Sequence, residues 1–142
     1  MSNEEKKKYL NGYRNVCLKI VDLKEQLESL RLAEQQAKGQ QLSDMPKGGH
    51  RKQDLSDVII RIETLKDKID KEIIKSMNRR IEIENTILDV GDAKEKTLLR
   101  LRYLEMLKWE EICVRMKYSW KQIHRLHAKA LEKITVEKDD IE

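Results

Sequence analysis

The chain has 142 residues, 39% of them charged, and a formal net charge of +4 at pH 7. With a mean hydropathy of -0.76, it holds too little apolar material for a large globular core, so we expect helices with exposed faces. The absence of Phe and the single Pro argue against a multistranded sheet, and no apolar run approaches the roughly eighteen residues of a membrane span. A charged N-terminus without a signal core predicts a cytoplasmic protein.

The first predicted element is a long helix from Asn3 to about Ala37. Its apolar residues alternate spacings of three and four, which is the pattern of a coiled-coil seam. The residues of this seam are Tyr9, Tyr13, Val16, Ile20, Leu23, Leu27 and Leu30.

A second long helix is predicted from about Gln53 to Asp89. Its apolar residues are Leu55, Val58, Ile59, Ile62, Leu65, Ile69, Ile73, Met77, Ile81 and Leu88. Both helices have roughly 35 residues, or about 50 Å, and equal lengths favour a long two-helix antiparallel coiled-coil hairpin over residues 1–90, with a loop at 38–52. Since this loop is longer than a hairpin needs, pairing between two chains in a homodimer stays open.

Residues 91–136 are predicted to form a helical domain on its own core, after a hinge at Gly91. The first helix of this domain is apolar at Leu98, Leu99, Leu101, Tyr103 and Leu104. A second helix is predicted from Trp109 to Met116, and its inward residues are Trp109, Ile112, Cys113 and Met116.

A third helix is predicted to begin at Ser119, because Ser119 and Gln122 have the spacing of a capping box after a turn at Lys117 and Tyr118. Its inward residues are Ile123, Leu126, Ala130 and Ile134. The residues that can point outward are Trp120, Lys121, Gln122, His124 and Arg125. Arg and Gln can bond guanine and adenine edges, Lys can bind phosphate or guanine, and an aromatic ring can contact the thymine methyl. A support helix, a tight turn and such a helix indicate a helix-turn-helix reader of duplex DNA.

The distribution of charge agrees with this hypothesis. Residues 100–134 carry nine Lys and Arg against four Asp and Glu, and residues 137–142 form an acidic tail. A basic excess on the candidate reader is the electrostatic feature that DNA binding requires.

Other chemistry finds little support in the sequence. His124 and His127 stand three apart on one helix, but no third ligand lies at metal-binding spacing beside them, so no metal site and no cofactor are predicted. No phosphate-binding loop or Ser-His-Asp arrangement is present, so an enzyme is not expected.

Three stretches of this domain resemble a known family. They are Leu99–Glu105, Trp109–Ile112, and a last group formed by Ile123, Leu126–Leu131 and Lys133. They are similar to region 4, the C-terminal promoter-reading domain of bacterial sigma factors, and more closely to small phage-type transcriptional regulators built around a similar domain. The family usually has Ser or Thr before Trp-Glu-Glu, where this chain has Lys108.

The resemblance implies a role for individual residues. The positions that read bases in the family correspond to Trp120, Lys121, Gln122, His124 and Arg125. The positions that contact the DNA backbone correspond to Arg102, Lys108 and Lys129.

The sequence thus predicts an all-α protein with a coiled-coil hairpin and a C-terminal helix-turn-helix. We expect a phage or prophage transcriptional regulator that binds double-stranded DNA at a promoter or operator, with RNA polymerase as a candidate partner. Two alternatives stay open. One is a phage small terminase-like DNA-packaging subunit, which would form a ring, and the other is a helical adaptor that binds no DNA.

Overall fold

The computed structural model of the chain describes residues 1–41 and 50–136, and these residues form helices and connecting turns with no strand. In chain order the helices are α1 (Asn3–Leu10), α2 (Gly12–Gln41), α3 (His50–Leu88), α4 (Ala93–Leu99), a π-helical turn (Arg100–Leu104), α5 (Trp109–Met116) and α6 (Trp120–Lys133). The prediction of an all-α protein is confirmed. Within the described ranges, no helix has both the length and the apolar content that crossing a membrane requires.

The structure changes the bounds of the predicted loop at 38–52. α2 continues to Gln41 and α3 begins at His50, while residues 42–49 lie outside the described residues. The predicted acidic tail at 137–142 also lies outside them.

The predicted first helix is interrupted near its start. α1 begins after Ser2, whose hydroxyl accepts a hydrogen bond from the Glu5 amide in a complete capping box. It ends at Leu10, and α2 starts at Gly12 after a single intervening residue. A Cβ at Gly12 would lie 2.5 Å from Nε of Arg79, so the glycine allows this guanidinium to come close.

The contacts divide the chain into two compact units, one of residues 17–75 and one that joins residues 1–16 to the chain from residue 76 onward. In the first unit, α2 and α3 pack through a cluster of Leu23, Leu65 and Ile69. Lys19 and Glu72 form an ion pair at 3.0 Å. Lys19 precedes Leu23 on α2, whereas its partner Glu72 follows Leu65 and Ile69 on α3. The two helices therefore run antiparallel, and they pair within one chain.

In the second unit, the buried face of α3 differs from the predicted one. Met77, Ile81 and Leu88 are among the apolar residues of the predicted second helix, but all three are exposed, Leu88 to 64%. The buried residues of α3 at this end are Ser76, Ile83 and Ile87, and Val90, which follows the helix, is buried as well.

This correction has a physical reason, which is that the seam passes through polar residues. On α3, Ile69, Ser76 and Ile83 are all buried and follow one another at seven-residue intervals. Between them, Arg80 donates a hydrogen bond to the Tyr13 hydroxyl at 3.3 Å. The buried face of α3 thus includes polar residues. The apolar repeat in the sequence, by contrast, lies on the neighbouring face, which is exposed.

The N-terminus and the C-terminal helices of this unit share a core. It contains residues from α1, α3, α4, the π turn and α6, namely Tyr9, Leu10, Ile83, Ile87, Val90, Leu99, Tyr103, Leu104, Ala130, Leu131 and Ile134. Residues from α1 and α3 therefore pack in the same core as residues of the C-terminal helices.

Two polar contacts add to this packing. Nζ of Lys6 on α1 donates to the carbonyl oxygens of Leu131 and Glu132 at 2.8 and 3.3 Å. These carbonyls lie in the last turn of α6, where helices leave acceptors without partners. Lys133 forms an ion pair with the buried Glu95 at 2.8 Å, which raises the pKa of the lysine through their hydrogen bond.

Candidate nucleic-acid interface

The candidate interface consists of α5, α6 and the turn between them. α5 follows Lys108, whose side chain makes no capping hydrogen bond. α5 ends at Met116, and Lys117, which caps it, has left-handed backbone angles (φ 59°, ψ 42°). The Tyr118 amide donates to the Cys113 carbonyl at 3.1 Å. The chain therefore turns within two residues, before the next helix begins.

The start of α6 confirms the predicted capping box. The Ser119 hydroxyl accepts from the Gln122 amide at 3.2 Å, and Oε1 of Gln122 accepts from the Ser119 amide at 2.9 Å. These two bonds satisfy amides that the first turn would otherwise leave unpaired. They also set the point at which α6 begins and hence which residues its outer face carries.

A second core lies beneath the two helices and orients them. Its buried residues, Leu98, Leu101, Ile112 and Ile123, come from α4, the π turn, α5 and α6. Partly buried residues pack against it, among them the predicted inward residues Trp109, Cys113, Met116 and Leu126. The predicted inward faces of both helices are thus confirmed, and the opposite face of α6 is left exposed.

Three cations form a row on this exposed face. Lys121, Arg125 and Lys129 stand four residues apart and are all exposed. None of them pairs with a carboxylate among the described residues, whereas Lys133, one turn further along, is held by Glu95. Lys121 and Arg125 belong to the predicted base-reading set, and Lys129 to the predicted backbone set.

Gln122 is also exposed, but its carbonyl oxygen is already bonded in the capping box. Bidentate recognition of adenine needs both the oxygen and the amide nitrogen of a Gln. In this conformation the side chain keeps its NH₂ donor and one lone pair of the carbonyl oxygen for a ligand.

His124 lies at the side of this face and packs between two indoles. Its ring centroid is 4.8 Å from that of Trp109 and 4.5 Å from that of Trp120. The imidazole is half-buried. The structure therefore places His124 in an aromatic stack, beside the other predicted base-reading residues.

Trp120 ends this stack at the surface, since 52% of the residue is exposed. Its position is the first residue of α6. The first residue of the cationic row, Lys121, follows Trp120 directly in the chain.

The predicted backbone residues differ in their surroundings. Lys108 and Lys129 are exposed. The guanidinium of Arg102 lies 4.5 Å from the ring centroid of Trp109, and its NH1 donates to the Leu107 carbonyl at 3.0 Å. Burial lowers the pKa of Arg102, although a guanidinium stays charged at neutral pH. Arg102 thus packs against the aromatic stack, and those of its guanidinium N–H groups that do not bond Leu107 can still donate to a ligand.

A buried polar pair was not identified from the sequence. The Tyr103 hydroxyl and Nε2 of His127 are 2.7 Å apart and share a hydrogen bond. Burial raises the pKa of Tyr103 to about 12 and lowers that of His127 to about 4, so both are neutral at pH 7. The one indication in the sequence is the position of His127, which lies four residues after Ile123 and three before Ala130 on the inward face of α6. From the sequence, His127 was considered only as a metal ligand.

The described residues contain no group of three His, Cys, Asp or Glu side chains arranged to hold a metal ion. His124 and His127 instead pack against the same indole, that of Trp109.

Comparison with known proteins identifies the family of the chain. Residues 35–135 match the sequence profile of the family described as protein of unknown function DUF1492. Since this match covers well over half of the 142 residues, the chain belongs to that family. No curated protein and no solved structure matches the chain.

Proposed function

We propose that this DUF1492 protein is a sequence-specific DNA-binding transcriptional regulator of phage or prophage type. In this proposal α5, the turn at Lys117 and Tyr118, and α6 act as a sigma region 4-like helix-turn-helix. The resemblance of the sequence to such regulators supports the phage origin, and the geometry of the two helices supports the DNA-binding role.

The observation that carries the proposal is the cationic row on α6. Lys121, Arg125 and Lys129 are exposed, lie on one face and have no carboxylate partner among the described residues. Lys38 on α2, by contrast, is paired with Glu34 at i,i+4 spacing. A row without such partners is suited to the phosphates and guanine edges of a major groove.

We assign roles within this surface by position. Lys121 and Arg125, in the first turns of α6, read base edges, and Gln122 adds its amide donor. Lys129 at the far end of the row and Lys108 before α5 bind phosphates. Arg102 acts mainly through its contact with Trp109, which supports the aromatic stack.

The paired helices α2 and α3 are, in this proposal, a coiled-coil arm that presents a surface to a protein. RNA polymerase and a second copy of the chain are the candidate partners. A monomer or dimer in solution favours the regulator, whereas a ring of many subunits would favour a DNA-packaging subunit. A regulator of this kind acts in the cytoplasm, where the DNA is.

The test is the selection of bound sequences from a random duplex pool at stated salt, followed by affinity measurements over a range of salt concentrations. The variant replaces the row, with Lys121→Gln, Arg125→Gln and Lys129→Gln combined. The matched control is Lys24→Gln, Arg31→Gln and Lys68→Gln, which removes the same residue types and charge from exposed sites on α2 and α3.

We expect the wild-type protein to enrich one sequence family. The row variant should lose this enrichment and flatten the salt dependence by about 0.9 unit of slope for each lost phosphate contact. The control variant should behave as the wild type. Equal losses of enrichment and of salt dependence in both variants would show that only the net charge of the protein matters. A wild-type protein without affinity for duplex DNA would favour the helical adaptor.

A further inference from the structure

Trp120 is a second, apolar feature of the proposed reading surface. Of the described residues on α6, it is the one large apolar side chain left exposed, to 52%. It is followed directly by Lys121, and Arg125 lies little more than one turn further along. An exposed indole among unpaired cations is unsuited to a purely solvated face, since its apolar surface gains by burial against a ligand.

The indole of Trp120 is held in place by its neighbours. The imidazole of His124, about one turn along α6, lies 4.5 Å from it between ring centroids. On its other side, His124 is backed by Trp109 at 4.8 Å, and the Arg102 guanidinium lies 4.5 Å from the centroid of the Trp109 ring. A ring that is already ordered loses little conformational entropy when a ligand binds to it.

We propose that Trp120 contacts the 5-methyl group of a thymine in the major groove, and that His124 is a positioning residue that holds the indole for this contact. The inference rests on the proposed function and names one feature of the DNA site. The thymine methyl is the apolar group that a base pair presents in the major groove. The adjacent cations Lys121 and Arg125 suit the phosphate charge of duplex DNA, which is the partner that the proposed function gives this surface.

A thymine contact makes a specific prediction about the preferred site. Deoxyuridine pairs as thymidine does but lacks the methyl group, so each thymidine of the selected duplex can be replaced in turn without a change in pairing. At one position, the wild-type protein should bind the substituted duplex about three- to five-fold more weakly, the effect expected from one buried methyl-sized group.

The Trp120→Ala variant should bind the thymidine duplex more weakly and lose sensitivity to deoxyuridine at that position. This coupling is what a double-mutant cycle measures, and a loss of stability alone does not produce it. His124→Ala should reduce the sensitivity at the same position, and His124→Phe, which retains a ring, should restore it. The fluorescence of Trp109, which remains in every variant, reports whether the domain is folded.

Three results would overturn the inference. If no position couples to Trp120 while the protein still selects a DNA sequence, the thymine contact is refuted and the proposed function stands. If Trp120→Ala weakens binding to all sequences equally, the indole packs against the DNA backbone instead. If the wild-type protein binds no duplex DNA at all, the proposed function fails together with the inference.

Discussion

Leu10 allows the shared core to be tested with one substitution. It lies at the end of α1, 0% exposed, in the cluster that also contains Leu99 and Leu131 from the C-terminal helices. We expect Leu10→Ala to destabilise the unit that carries α5 and α6, although it lies about a hundred residues away in sequence. The same substitution at Leu18, which is 57% exposed on α2, is the matched control.

The magnitude follows from the burial of each side chain. Replacing a fully buried Leu by Ala costs about 2–5 kcal/mol, from lost transfer free energy and from the cavity left behind. An exposed Leu→Ala substitution changes the free energy of unfolding by about 0.5 kcal/mol or less. With a urea dependence of about 1–3 kcal/mol per molar, the midpoint for Leu10→Ala should fall by about 0.7–5 M, which is about 2 M at the middle of both ranges.

Tryptophan fluorescence during urea unfolding is the appropriate assay. The chain has two Trp residues, Trp109 and Trp120, and both lie in the unit whose core contains Leu10. Their signal therefore reports unfolding of the candidate interface. The unit of residues 17–75 contains no Trp, so its unfolding is not observed. The reasoning is refuted if the Leu10→Ala midpoint coincides with that of Leu18→Ala, since residues 91–136 would then fold on a core of their own.

Two further predictions concern the buried pair and the α2–α3 contact. Because burial lowers the pKa of His127 in the folded protein from 6.5 to about 4, stability should be complete above pH 6.5 and decline by about 3 kcal/mol as the pH falls toward 4. Urea unfolding at a series of pH values measures this decline, and a similar decline in His127→Gln would assign it to other groups. Combining Leu23→Ala and Leu27→Ala should loosen α2 from α3, by about 2–5 kcal/mol at the buried Leu23, without a change in sedimentation, because the seam closes within one chain. A dimer or ring that dissociates in this variant would contradict that expectation.

The features that the sequence predicted correctly are local ones. The capping box of Ser119 and Gln122 joins residues three apart, so its spacing is sufficient to locate the start of α6. The inward residues Ile112 and Ile123 follow from helical periodicity in the same way. The sequence therefore predicts the helices, the start of α6 and which residues of α6 face inward before any tertiary contact is known.

Periodicity was insufficient where two faces of one helix compete. On α3, Ile81 and Leu88 continue an apolar repeat, yet Ser76 and Ile83 occupy the buried one. The sequence alone indicates a surface position for the polar Ser76, yet the residue is only 8% exposed. Hydrophobicity therefore cannot by itself rank two repeats of equal spacing, because the choice depends on what the partner helix presents.

The sequence by itself determined that the chain is helical, where α6 begins and which cations its outer face carries. Only the tertiary structure decided that Lys6 caps α6 across 125 positions of sequence, and that His124 supports an indole within a stack. Helix formation depends on interactions within a few residues, which a sequence displays directly. Contacts between helices depend on which surfaces meet, and that choice is made by the packing of the whole unit.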